Sequence, residues 1–191
     1  MDDHLRAFIL GGQHYEPLAR RRNARRYLVS DPNSLLLYVD RDIAITYQRE
    51  TGHAYRQAAW SVLCDTGSPF NRAGHVPRHY VQSIEVAELF ALASSLEVAL
   101  DMVRAGWKIS RVVICTHSQF LVDRICDEAW AVNAVGWPVR VTGQLEDWIH
   151  ILHDCHLMTQ ALFHGRGVEV KFWQIPVRHL VETHGLLEPF L

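Results

Sequence analysis

The stretch RVVICTHSQFLVDRIC, residues 111–126, decides how this chain is read. A basic residue, Arg111, opens an apolar run through Val112, Val113, Ile114 and Cys115 that stops at Thr116. A short apolar run rich in β-branched residues suits a strand buried on both faces. Ser118 then offers a helix N-cap, and a helix is expected from there to about Val132. Between strand and helix stands His117. In α/β sheets this is the place where ligands gather, outside the carboxyl ends of the strands.

Upstream, LLLYVD (residues 35–40) is a second apolar run of strand length, and it ends in Asp40. A long polar stretch follows, and AAWSVLC (58–64) is the next strand. The segment DTGSPFNRAGHVPRHYVQ is loop-like, with a short edge strand expected near His79–Gln82. From Ser83 the period becomes helical, with Leu89, Leu92, Leu96, Ala99 and Val103 on one face and Gly106 past the end. Downstream, GWPVRVTGQ (136–144) reads as a loop. Leu145, Trp148, Leu152, Cys155, Thr159 and Leu162 mark another helix. VEVKFWQIP (168–176) is a strand closed by proline. Strands in a meander followed by alternating helices and strands imply a mixed sheet covered by helices. Asp40 and His117 meet if the first and fourth strands are neighbours.

Composition narrows the class. With 191 residues, 49% hydrophobic and 21% charged, the chain can bury a substantial core. A formal net charge of −2 gives no general pull toward nucleic acid or anionic membrane. No segment has the roughly 18 apolar residues of a membrane span, and the apolar start, residues 7–10, is too short for a signal peptide. Cys64, Cys115, Cys126 and Cys155 lie inside expected strands and helices with no CxxC pair, so they read as buried thiols of a soluble intracellular protein. Residues 1–33 form an irregular arm with one basic cluster, Arg20, Arg21, Arg22, Arg25 and Arg26. The cluster reads as a solvated arm or as contacts to nucleic-acid phosphates. Residues 34–191 form the folded domain.

These landmarks resemble the type 1 ribonuclease H family, and its ascomycete-fungal branch in particular. DPNSLLLYVD is similar to the family's first strand, which ends in an aspartate. QSIEVAEL resembles its QTSNRAEL helix start, with Glu88 at the catalytic glutamate. RVVICTHSQFLV resembles VVIATDSEYVV, and GVEVKFWQIP resembles the last strand. The resemblance covers residues 31–182. It implies a ribonuclease H-like three-layer α/β fold, with a mixed five-stranded sheet flanked by helices. It also implies a site for cleaving the RNA strand of RNA–DNA hybrids, in which carboxylates hold two magnesium ions about 4 Å apart.

The four family positions, Asp, Glu, Asp and Asp, read here Asp40, Glu88, His117 and His184. The last comes from counting along the tail, where Glu182 and Glu188 are alternative acids. With neutral imidazoles the formal site charge changes from about −4 to about −2, which is little for two hard magnesium ions. Arg41 stands where the family has glycine, Glu85 where it has the Asn that reads the RNA 2′-hydroxyl, and Leu180 where it has an Asn. Metal ligands and substrate contacts have changed together. Two readings of His117 stay open: a core histidine bonded to Asp40 or Glu88, or a ligand in a rebuilt site. Imidazole with carboxylates suits one manganese, zinc or iron ion better than magnesium.

The leading expectation is a ribonuclease H-like protein that has lost hybrid cleavage. It would serve as a binding or regulatory module for RNA, DNA, a hybrid or a protein, or carry a single metal. The alternatives are an active metal-dependent endonuclease and a small-molecule metalloenzyme. The run HILHDCH (His150, His153, His156) spreads its histidines around a helix and reads as structural. The six tryptophans are scattered over different elements and read as anchors, not as a stacking platform.

Overall fold

The structure is a computed structural model. It describes residues 33–47, 53–123, 125 and 146–191, together with the backbone of 5–6 and 17–18. The basic cluster at 20–26, Cys126, the end of the expected 118–132 helix and the 136–144 loop lie outside the described residues.

Two-residue strands β1 (Leu5–Arg6) and β2 (Pro17–Leu18) precede the five main strands. Those are β3 (Ser34–Tyr47), β4 (Ala54–Leu63), β5 (Arg72–His75), β6 (Arg111–Thr116) and β7 (Glu169–Gln174). The order across the sheet is β2-β1-β7-β6-β3-β4-β5. Strands β3, β4 and β5 run antiparallel as a meander, whereas β3, β6 and β7 are parallel to one another. Parallel neighbours need crossovers, and helices supply them. Helix α1 (Ile84–Arg104) joins β5 to β6, while α2 (Gln119–Asp123) and α3 (Glu146–Arg166) lie between β6 and β7. A short helix, α4 (Val181–Gly185), follows β7.

The apolar runs are continuous because both faces of the central strands are covered. Leu37, Val39, Val112, Ile114, Val170 and Phe172 face α1 and α3 in the main core. Their alternates Val113 and Cys115, with Leu36, Tyr38 and Trp173, form a second cluster sealed by Ile175 and Leu180. Helix α1 is capped by Ser83, whose hydroxyl accepts from the Val86 N–H. This is a three-layer arrangement of helices, sheet and C-terminal segment.

Two sequence expectations need correction. β3 does not stop at Asp40 but continues to Tyr47. Beyond Asp40, Asp42, Ala44 and Thr46 alternate with Ile43, Ile45 and Tyr47, and the whole run pairs with β4. The third strand is RAGH, residues 72–75, and not the segment near His79–Gln82. Pairing with β4 overrides its poor β-propensity, and Gly74 leaves room for the Trp60 ring, which a Cβ would meet at 3.2 Å.

Candidate functional site

Asp40 lies two residues beyond the last β3–β6 pair, Tyr38 with Cys115. β6 ends at Thr116 while β3 continues, so the sheet opens there, and extending the parallel register sets His117 opposite Asp40. The turn around His117 is fixed on both sides. The Ser118 N–H donates to Thr116 Oγ1 at 3.1 Å, and Ser118 Oγ accepts from the Leu121 N–H at 3.0 Å. Ser118 is thus the expected helix cap.

The other two residues arrive from opposite faces of the sheet. Glu88 is buried on α1, reached from the face that carries Val39, Arg41 and Ile43. His184 comes from α4 on the other face. Leu180 is buried in the second cluster, and Ser61 Oγ donates to the Thr183 carbonyl at 2.9 Å. These two anchors hold His184 so that its Nδ1 lies 3.0 Å from Asp40 Oδ2. Since a carboxylate only accepts, this contact favours the Nδ1–H tautomer. His117 Nδ1 lies 3.7 Å from Asp40 Oδ1, beyond hydrogen-bond range. Asp40, Glu88, His117 and His184, the four residues matched by sequence, therefore share one site.

The residue whose role the sequence reading missed is Arg41. Its Nε donates to Glu88 Oε1 at 2.8 Å, and its Nη1 lies 4.0 Å from Asp40 Oδ1. The guanidinium sits between the two retained carboxylates, in a narrow crevice walled by Val39, Ala91, Thr116 and Leu121. The signal was in the pattern: in a strand, residue 41 shares the face of Val39 and points at the helix that carries Glu88.

Burial sets the electrostatics. Desolvation raises the Glu88 carboxyl above its ordinary value, and the Ser118 hydroxyl and Arg41 offset only part of that. Desolvation, then the Arg41 charge, lowers His117, with Asp40 pulling weakly the other way. His117 is therefore held neutral, and His117 Nδ1 and Glu88 Oε2 are buried with no hydrogen-bond partner among the described residues.

The donor set does not fit the metal that the fold implies. Among the described residues no three His, Cys, Asp or Glu side chains converge to hold an ion. Both imidazoles turn their Nδ1 toward Asp40, and the cation between the carboxylates is Arg41. The single manganese, zinc or iron ion expected on Asp40, Glu88, His117 and His184 would have to share these side chains with Arg41. The alternative tail acids do not join the cluster. Glu182 accepts from the Thr66 hydroxyl at 2.9 Å, and Glu188 opens the last 3-10 turn. Glu85 is exposed in the first turn of α1. On α3, His156 is buried and bonded to Gln160, while His150 is exposed on another side, so the three histidines share no point. No helix among the described residues is long and apolar enough to cross a membrane.

No protein-family model matches the sequence, and no curated protein matches it. Solved structures do. A foamy viral protease–reverse transcriptase, in complex with dsDNA, superposes with a TM-score of 0.52 at 13% identity, over 83% of this chain and 91% of that one. The prototype foamy virus RNase H domain, solved in solution, gives a TM-score of 0.46 at 12% identity, over 81% and 90%. A type 1 RNase H with the type 2 active-site motif gives 0.44 at 16% identity, over 74% of this chain and 64% of that one, under two thirds of its length. At such identities the likeness is one of fold. The chain has the ribonuclease H-like fold, its five main strands forming a mixed sheet flanked by helices.

Proposed function

We propose that this chain keeps the ribonuclease H-like frame without two-magnesium cleavage of RNA–DNA hybrids, and acts as a nucleic-acid-binding or regulatory module. The observation that carries this reading is Arg41 between Asp40 and Glu88. Two hard divalent ions need surplus anionic oxygen. Here one carboxylate already has a guanidinium at 2.8 Å, and the other has a histidine Nδ1 at 3.0 Å.

Residues 34–191 would form the module, and residues 1–33 an arm that adds β1 and β2 to the edge of its sheet. Nucleic acid is the partner class carried over from the foamy viral protein, which was solved with dsDNA. A protein partner is the other possibility the reading allows.

The test is a labelled RNA–DNA hybrid, incubated with wild type and with Asp40→Asn in magnesium and separately in manganese. The hybrid is expected to survive in both metals. Cleavage by wild type that Asp40→Asn lacks would overturn the reading in favour of an active endonuclease.

A further inference from the structure

The β3–β4 hairpin runs on well past Asp40, and its far end holds a second site. β4 pairs with β5 only from Ala59 to Val62. At Ala58 the chain after β5 takes over: the Val76 N–H donates to the Ala58 carbonyl at 2.8 Å, and Gln82 Oε1 accepts from the Ala58 N–H at 3.0 Å. Beyond that point a cleft of about 420 Å³ opens along the edge of β4, lined by His53, Tyr55, Arg56, Gln57, Arg78 and Gln82. Strand alternation puts Tyr55 and Gln57 on one face and Arg56 on the other, so the cleft wraps around the strand edge.

Its wall is hydrogen-bonded and its charge is positive. The Gln82 amide donates to the carbonyls of Pro77 and Tyr80 at 3.1 and 3.0 Å, so it is committed to holding the wall. Arg78 Cζ lies 5.6 Å from the centre of the Tyr55 ring, a cation–π contact that holds the guanidinium without neutralising it. Four other arginines are matched with acids: Arg41 with Glu88, Arg72 with Glu97 and Asp101, Arg104 with Asp101, and Arg111 with Glu169. Arg166 and Arg178, away from the cleft, have no acid partner among the described residues. Among the described residues no carboxylate pairs with Arg56 or Arg78, and none lines the cleft. Two cations beside a half-exposed tyrosine match a phosphate flanked by a base. The planar guanidinium offers forked donors to phosphate oxygens, and the aromatic ring offers a surface for stacking.

We propose that this cleft binds the phosphate backbone of a nucleic-acid strand, with Arg78 as the forked donor and Arg56 as a second positive contact. The proposal rests on the reading that the chain binds nucleic acid, and it says where. It does not involve Asp40, Glu88 or either site histidine.

The test is fluorescence anisotropy of a labelled single-stranded RNA of about a dozen nucleotides, a length that spans one such binding site. Salt is varied, and wild type is compared with Arg78→Lys, Arg78→Ala and the double variant Arg56→Ala/Arg78→Ala. Wild type is expected to bind, Arg78→Lys to bind less well, and the double variant to weaken at least tenfold. The slope of log K against log salt should also fall by about 1.4, from about 0.7 for each of two lost phosphate contacts. Unchanged affinity and slope in the double variant would overturn the proposal, as would a wild type that binds inorganic phosphate but no RNA. Equal, Arg78-dependent binding of a poly-glutamate peptide would overturn it in favour of an acidic protein partner. Metal-dependent hybrid cleavage would sink the preceding functional reading while leaving Arg78-dependent binding intact, so the two failures are distinguishable.

Discussion

The two ends of the β3–β4 hairpin treat charge in opposite ways. Around Asp40 two buried carboxylates are each turned on a cationic or imidazole partner: Glu88 on Arg41, and Asp40 on the more exposed His184. Around Tyr55 the cations are exposed and face a cleft that no acid lines among the described residues. A charge withdrawn from water must find an opposite charge or hydrogen-bond partners within the fold, whereas a charge left in water is held in reserve for a ligand. Here the inner end turns its charges on one another, and the distal end keeps its charge in water.

That contrast is most severely tested by Glu88→Ala. It leaves Arg41 in a buried crevice without its carboxylate, and should lower stability by about 3 kcal/mol in urea unfolding. A loss below about 1 kcal/mol, the range of exposed pairs, would mean that the inner end is not held by this ion pair.

A smaller effect follows from His117. Its pKa is lowered in the fold from the ordinary 6.5. Between that value and the lowered one, the unfolded chain binds more protons, so stability falls as pH drops through this window. Between about pH 7.5 and about pH 5.5 the wild-type Tm should therefore fall further than that of His117→Asn, provided His117 sets the difference. Glu88, shifted upward, acts in the opposite sense, gaining stability as pH falls toward 4.5. The wild-type-minus-variant difference separates the two. Parallel curves would show that His117 is not held neutral.

Replacing both members of the pair, Arg41→Met with Glu88→Leu, should leave stability within about 1 kcal/mol of wild type or raise it, because the desolvation cost disappears with the charges. A large loss would show that the pair is worth more than the hydrocarbon contacts replacing it. The smallest change belongs to the open end. Arg78→Ala should shift stability by no more than about 0.5 kcal/mol, while the binding described above declines. A larger shift in the melting curve would make Arg78 a structural residue.

Much of this was legible in the sequence wherever burial dictates pattern. The strand at 111–116, the cap at Ser118 and the helix beginning after Ser83 follow from apolar runs and side-chain capping, and they stand where the residues put them. Strand RAGH was not legible because its stabilisation comes from β4 and not from its own side chains. The extension of β3 past Asp40 was hidden by alternation, since its polar residues make the run read as a polar stretch.

At the site, the matched positions located Asp40, Glu88 and His117, and counting along the tail placed His184, which lies against Asp40. What the pattern concealed was the guanidinium. Arg41 registers in a linear comparison only as a lost glycine, and becomes an internal counter-ion once strand parity aims it at α1.

The cover of the second cluster has a consequence for how the chain is made. Val113, Cys115, Leu36 and Tyr38 are closed over by Ile175 and Leu180, which follow all five main strands in sequence. During vectorial synthesis the hairpin, α1 and β6 can assemble on one face while the other stays greasy and bare. Until residues 175–180 leave the ribosome, that face is a site for misassembly or chaperone capture. The same late segment delivers His184 to Asp40, so the charged cluster is completed only when the nascent domain closes.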